Sequence, residues 1–168
     1  MGVEAMGNII RTTIRTARLA AWGLLTVFIS AQAWANGQPP ETQAAIAAAR
    51  VVMDDFMTHF NARDEARWAD TLLFPHVRVA SGGVIVTPSK AEFVANTDLD
   101  EFAKIYNWSH SAWDSIELVQ AGPEKVHFKV RFSRFNPEGE KYVSFDSLYV
   151  LQLVDGRWGI RARSSFAP

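Results

Sequence analysis

Residues 125–166 read KVHFKVRFSRFNPEGEKYVSFDSLYVLQLVDGRWGIRARSSF, and the fold is decided there. Val126, Phe128, Val130 and Phe132 alternate with His127, Lys129 and Arg131. Successive side chains on a strand point to opposite faces, so this period of two predicts a strand with one apolar and one polar face. Asn136-Pro137-Glu138-Gly139 and Asp155-Gly156 are turn signals that divide the stretch. Gly and Pro supply the backbone angles of a reversal, and Asn and Asp supply local acceptors. Strands are therefore expected over Lys125–Phe135, Lys141–Val154 and Arg157–Phe166. Working back, Ala121-Gly122-Pro123-Glu124 is a further turn, and it adds a strand over Ser111–Gln120.

Upstream of Trp108 the period changes. Ile46, Ala49, Met53, Phe56, Met57 and Phe60 recur at helical spacing and predict one long first helix with a single apolar stripe. Asn61 to Asp64 breaks it, and Asp64 is a good N-cap for a short second helix carrying Trp68 and Leu72. His76–Ser81 and Val84–Val86 flank Gly82-Gly83, a hairpin signal. Ser89 and Glu92 form a capping box for a third helix expected to last to about Tyr106. Helices followed by a run of strands predict an α+β class, three helices packed on one face of a strongly curved antiparallel sheet.

The first segment reads as an address. Arg11, Arg15 and Arg18 precede a mostly apolar run from Leu19 to Ala31, and Ala33-Trp34-Ala35 fits the small-residue cleavage rule. A spanning helix needs about 20 apolar residues, and this run is shorter. The expected organisation is a signal peptide over 1–35 cut after Ala35, a linker over 36–40 with Pro39-Pro40, and one domain over 41–168. The protein is then expected in the periplasm or secreted, with no membrane attachment after cleavage.

Composition narrows the function. With a net charge of −1 and a pI near 6.4, the chain has no basic field for nucleic acid, and no nucleic-acid partner is expected. Cysteine is absent, which removes disulfides, thiolate nucleophiles and cysteine metal sites. The four His are scattered at 59, 76, 110 and 127 without metal-ligand spacing, so neither metal nor cofactor is expected. Six Trp and eleven Phe are generous for this length, and such rings fill cores and line pockets for flat or apolar ligands.

Three stretches carry a family resemblance: Asn61-Ala62-Arg63-Asp64-Glu65-Ala66-Arg67-Trp68, Phe74-Pro75-His76-Val77-Arg78-Val79, and Tyr149 through Asp155-Gly156-Arg157-Trp158-Gly159-Ile160. With the element order, they resemble the SnoaL-like branch of the nuclear transport factor 2-like superfamily over nearly the whole domain. The first is similar to the family's helix break, the second to its first strand entry, the third to its closing hairpin. The resemblance implies a cone-shaped fold with a central pocket between the helices and the concave sheet face, and commonly a homodimer through the sheet. It also implies a small-molecule ligand, and the superfamily includes isomerases, dehydratases and hydrolases beside non-catalytic members. Fold alone is analogy, not mechanism.

Hairpin geometry sorts the strand faces. Asp114, Lys129, Arg131, Asp146, Arg161 and Arg163 are expected on a polar face, and Trp113, Val126, Phe128, Val130, Phe132, Phe145, Tyr149, Leu151, Trp158 and Ile160 on the apolar one. The resemblance places the pocket on the apolar side, with walls from Tyr149, Trp113 and Ser147 and from Trp68 and Tyr106 on the helices. The Tyr149 hydroxyl can donate to a developing oxyanion, and His110, near a strand entrance, is the candidate titrating partner. Asp146 and Arg131, with Asp114, are similar to the Asp-Arg-Asp set with which epoxide hydrolases of this superfamily activate water. The family's Arg-x-Asp pattern is missing, because Phe132 and Ser133 follow Arg131, and the set falls on the polar face. Ketosteroid isomerases carry a catalytic Asp on the first strand, where Val79-Ala80-Ser81-Gly82 offers no acid. A competing expectation is a non-catalytic periplasmic assembly module, similar to components of type IV secretion systems.

Overall fold

The computed structural model describes residues 37–80 and 82–167; the leader expected over 1–35 and Ser81 lie outside them. Helix α1 runs over Pro40–Asn61. Pro40 stands at its start, where an N–H would have no helical acceptor, and its ring fixes the required φ. Ala45, Ala49, Met53, Phe56 and Met57 form the buried stripe. The helix ends by tying itself to a strand: the Asn61 amide donates to the Ser111 carbonyl (2.9 Å) and its oxygen accepts from the Ser111 N–H (2.8 Å). Asp64 then caps α2 (Glu65–Asp70), its carboxylate accepting from the Arg67 N–H at 2.9 Å.

Two of the sequence expectations shift here. Leu72 is not on α2; it opens β1 (Leu72–Ala80), which turns into β2 (Gly83–Thr87). The single third helix is two, α3 (Lys90–Ala95) and α4 (Leu99–Ile105). Ser89 caps α3 as expected, its hydroxyl accepting from the Glu92 N–H at 3.2 Å, but Asp98 caps a second start by accepting from the Glu101 N–H at 2.7 Å. The Thr97 hydroxyl bonds the Phe93 carbonyl at 2.6 Å, closing the first helix before that start. Then come β3 (His110–Gly122), β4 (Lys125–Phe135), β5 (Lys141–Val154) and β6 (Arg157–Ser165).

The six strands form one sheet in the order β2-β1-β6-β5-β4-β3. It is mixed rather than wholly antiparallel, because β1 lies parallel to β6 with Arg78 opposite Arg163. That pairing joins distant parts of the chain and leaves no local trace in sequence. The sheet stays open, with β2 and β3 at its edges. Val126, Phe128, Val130, Tyr149, Leu151 and Ile160 of the sheet pack against Ala45, Ala49, Met53 and Phe56 of α1, joined by Trp68, Leu72 and Leu99. A fully buried Val, Leu, Ile, Phe or Met side chain contributes about 1.5–3 kcal/mol relative to exposure, so the stripe on α1 holds the helix on the sheet. Among the described residues no helix is long and apolar enough to cross a membrane.

Candidate functional site

The site begins with a slip of one residue. From the Asp155-Gly156 turn the β5–β6 ladder runs regularly through Leu151 opposite Ile160. The next pair is Val150 with Ala162, so Arg161 is an extra residue bulged out of β6. A one-residue slip moves every later side chain to the other face. Tyr149 therefore lies opposite Arg163, and Arg163, expected on the polar outer face, is turned inward. Arg161 is held in the bulge by Gln152 Oε1 (3.1 Å) and the Pro75 carbonyl (3.2 Å).

Between the inner sheet face and the helices lies a pocket of about 580 Å³, within the usual range for small-molecule sites. Phe56, Trp68, Trp113 and Tyr149 make its aromatic floor. Tyr149 stands edge-on to Phe56 and to Trp113, with ring centroids 5.7 and 5.8 Å away. The joint between α3 and α4, residues Asn96 to Leu99, forms one rim and Ile85-Val86-Thr87 of β2 another. Splitting the third helix thus places polar chain at the mouth.

Four basic side chains enter this aromatic chamber: His76, Arg78, Arg134 and Arg163. Arg134 is only 7% exposed and its guanidinium sits among Phe102, Phe145, Tyr106 and Phe132, between 4.8 and 6.0 Å from the ring centres. Arg163 lies over Phe56 and Trp68 at 5.5 and 5.8 Å. Arg78 donates to the Ala167 carbonyl at 3.2 Å. Burial lowers Arg134 and Arg78 from the usual arginine value, and the like charge of Arg163 adds to the lowering in both. An arginine stays protonated regardless, so the cost falls on stability rather than being relieved by proton loss.

His76 is buried, and its Nδ1 lies 3.1 Å from the Ile160 carbonyl oxygen. That oxygen only accepts, so Nδ1 carries the proton and Nε2 is an acceptor without a hydrogen-bond partner among the described residues. Burial above all, and the Arg163 charge beside it, lower the His76 pKa to about 4 against the opposing hydrogen bond to Ile160. At neutral pH His76 is therefore an uncharged acceptor and a weak base.

The residues singled out from sequence divide between this chamber and the rest of the molecule. Trp68, Tyr106, Trp113 and Tyr149 line the pocket, and the Tyr149 hydroxyl makes no hydrogen bond within the described residues. Ser147 lies behind the wall, sharing a 2.8 Å hydrogen bond with Ser165, which lines it. His110 is exposed at the start of β3, its ring stacked on Phe135 at 4.7 Å. Arg131 and Asp146 form an ion pair of 3.0 Å, both side chains about half exposed on the outer face. Asp114 does not join them: the ladder shifts between Trp113 and Ser115, and its carboxylate accepts from the Ser133 hydroxyl. Among the described residues no group of three or more His, Asp or Glu is placed to hold a metal ion.

Residues 47–166 match the family described as NTF2-like protein (DUF6841). The chain belongs to that NTF2-like family. Among solved structures it is similar to Aln2 from a Streptomyces species, at 15% identity and a TM-score of 0.59, over 77% of this chain and 92% of that one. A Catenulispora acidiphila protein crystallised in complex with S-DNPA is 17% identical, with a TM-score of 0.58 over 74% of this chain and 93% of that one. A ketosteroid isomerase-like protein from Erwinia carotovora atroseptica is 18% identical, with a TM-score of 0.51 over 73% and 96%. At these identities the likeness shows the shared fold. No curated protein matches the chain.

Sequence reasoning missed His76, Arg78, Arg134 and Arg163. Arg134 carried a usable signal: Val126, Phe128, Val130 and Phe132 define the inward parity of β4, and Arg134 continues it. His76 and Arg78 lie on β1, a strand whose two faces the sequence pattern left unsorted.

Proposed function

We propose that this chain is an exported member of the NTF2-like family whose domain binds a small molecule with a largely apolar or aromatic body. The observation that carries the reading is the chamber of about 580 Å³ walled by Phe56, Trp68, Trp113 and Tyr149. Aromatic side chains at helical and strand positions would otherwise close on one another, since protein interiors pack to crystal density. The arginine-rich, apolar start and Ala33-Trp34-Ala35 support export and cleavage. Isomerase, dehydratase or hydrolase chemistry would draw on the Tyr149 hydroxyl as an oxyanion donor. The imidazole of the lining, His76, is a weak base, so binding is the activity the geometry supports most directly.

A second reading, an interaction module, is favoured by the edge strand β2, where Val84, Ile85 and Val86 are all exposed. Leu148, also exposed, supports a homodimer through the outer face of β5.

Native mass spectrometry of the protein purified from the periplasmic fraction tests these readings together. The expected spectrum shows a chain beginning at Asn36, a dimer, and a small molecule released on denaturation. An apo mass, together with tryptophan fluorescence unmoved by added 1-anilinonaphthalene-8-sulfonate, would sink the pocket reading and favour the module.

A further inference from the structure

Among the buried polar atoms of the pocket wall that lack a partner, donors outnumber acceptors. Trp68 Nε1, Trp113 Nε1, Arg134 Nε and Arg163 Nε are each buried without a hydrogen-bond partner among the described residues. Indole and guanidinium nitrogens donate and never accept. Native proteins leave few such groups, and each costs about 1–3 kcal/mol when nothing answers it.

The charge is as one-sided as the hydrogen bonding. Among the described residues, neither Arg134 nor Arg163 has a carboxylate within ion-pair range, and neither guanidinium makes a hydrogen bond. Their contacts are with ring faces. Arg78, directly opposite Arg163 across the β1–β6 ladder, brings a third positive charge to the wall. The acids of the lining, Glu92 and Asp98, are both exposed, and the Asp98 carboxylate caps α4. The chain as a whole has a net charge of −1, so this cluster is a local feature and not a reflection of overall composition.

We infer that the pocket takes an organic acid, its aromatic or apolar body against Phe56, Trp68 and Trp113 and its carboxylate on the guanidinium groups of Arg134 and Arg163. Guanidinium presents a planar fork of donors that matches a carboxylate, and rings stacked on its faces leave that fork free in the plane. The lone pair of His76 Nε2 is the complementary acceptor, so an acid that also carries a hydroxyl or amine donor satisfies the wall more fully. A neutral aromatic occupant would answer the apolar floor and leave the charges uncompensated.

The inference rests on the pocket reading, and one comparison separates the two. The full chain is titrated calorimetrically at pH 7.5 with 2-naphthoate and with 2-naphthamide, which share a body and differ in charge. The acid is expected to bind at least about tenfold tighter, the scale of one charge-assisted hydrogen bond. Arg163→Gln is expected to cut that preference to below about threefold, and Lys129→Gln, on the outer face, to leave it intact. If Arg163→Gln loses its near-ultraviolet circular dichroism, Arg134→Gln carries the same expectation. Equal affinity for the two probes, or preference for the amide, keeps the pocket and overturns the anion. Binding of neither probe up to about 1 mM, the weak end of specific recognition, overturns both.

Discussion

Arg131 and Arg134 are three residues apart on one strand and live in opposite chemistries. Arg131 points outward, half exposed, and meets Asp146 at 3.0 Å. Arg134 points inward, 7% exposed, and meets only aromatic faces. The outer pair is the ordinary solution for a strand surface: a cross-strand ion pair in high dielectric that contributes little either way. The inner arginine is destabilising, because a desolvated cation costs several kcal/mol and cation–π contacts offset only about 0.5–2. Sites held at a cost to stability are characteristic of function rather than of folding. This contrast between the two faces of the sheet can be broken or sharpened at three residues.

The largest effect is expected at His76, buried in the inner region. Its folded pKa is about 4 against an ordinary 6.5, so the unfolded chain takes up the proton first as pH falls. The stability that neutral His76 contributes is complete above about pH 6.5, is lost between 6.5 and 4, and is gone below 4. A shift of this size corresponds to about 3 kcal/mol. Urea unfolding at pH 7 and at pH 4.5 measures it. Carboxylates titrate in the same window, so the quantity to read is the difference from His76→Gln, which keeps a donor for the Ile160 carbonyl and does not titrate. A pH dependence identical in both proteins would mean that the inner region solvates its charges as the outer face does.

Next in size is Arg134→Met. The substitution keeps an unbranched stem among Phe102, Phe132 and Phe145 and removes the desolvated charge. Relief of desolvation outweighs the lost ring contacts, so the variant is expected to be more stable by about 1 kcal/mol, a rise of roughly 3–5 °C in Tm at neutral pH. It is also expected to lose most of its preference for 2-naphthoate. A lower Tm would show that the four rings stabilise the cation outright, and the contrast with Arg131 would then be one of structure alone.

How much of this was readable follows from the same strands. The four long strands were legible because Val126, Phe128, Val130 and Phe132 alternate without interruption and Asp155-Gly156 marks its turn on its own. The aromatic half of the wall was legible with them, since Trp113 and Tyr149 sit in phase with that stripe. The start of α4 was also written in the chain, as Asp98 followed by Glu101, but the capping box at Ser89 suggested a single helix. Arg163 was not legible. Its direction depends on the bulge at Arg161, whose partners Gln152 and Pro75 lie on two other strands. His76 and Arg78 were not legible either: β1 turns these polar side chains inward and leaves Val79 exposed. Period-two reasoning assumes that the buried face is apolar, and it fails where the buried face is the site.

The smallest expected effect lies on the outer face. Arg131→Gln removes one partner of the outer ion pair, and with both side chains about half exposed the remaining Asp146 stays solvated. Exposed pairs of this kind are worth about 0–1 kcal/mol, reduced further by salt, so the change expected at about 0.15 M ionic strength is within roughly 0.5 kcal/mol. The affinity for 2-naphthoate should not move. A loss of more than about 2 kcal/mol in urea unfolding would be the signature of a desolvated pair. Solvent would then have to be excluded from the outer face in solution, as it would be if β4 and β5 were covered by a second copy. The concentration dependence of the unfolding midpoint decides the matter, because only an interface makes stability depend on protein concentration.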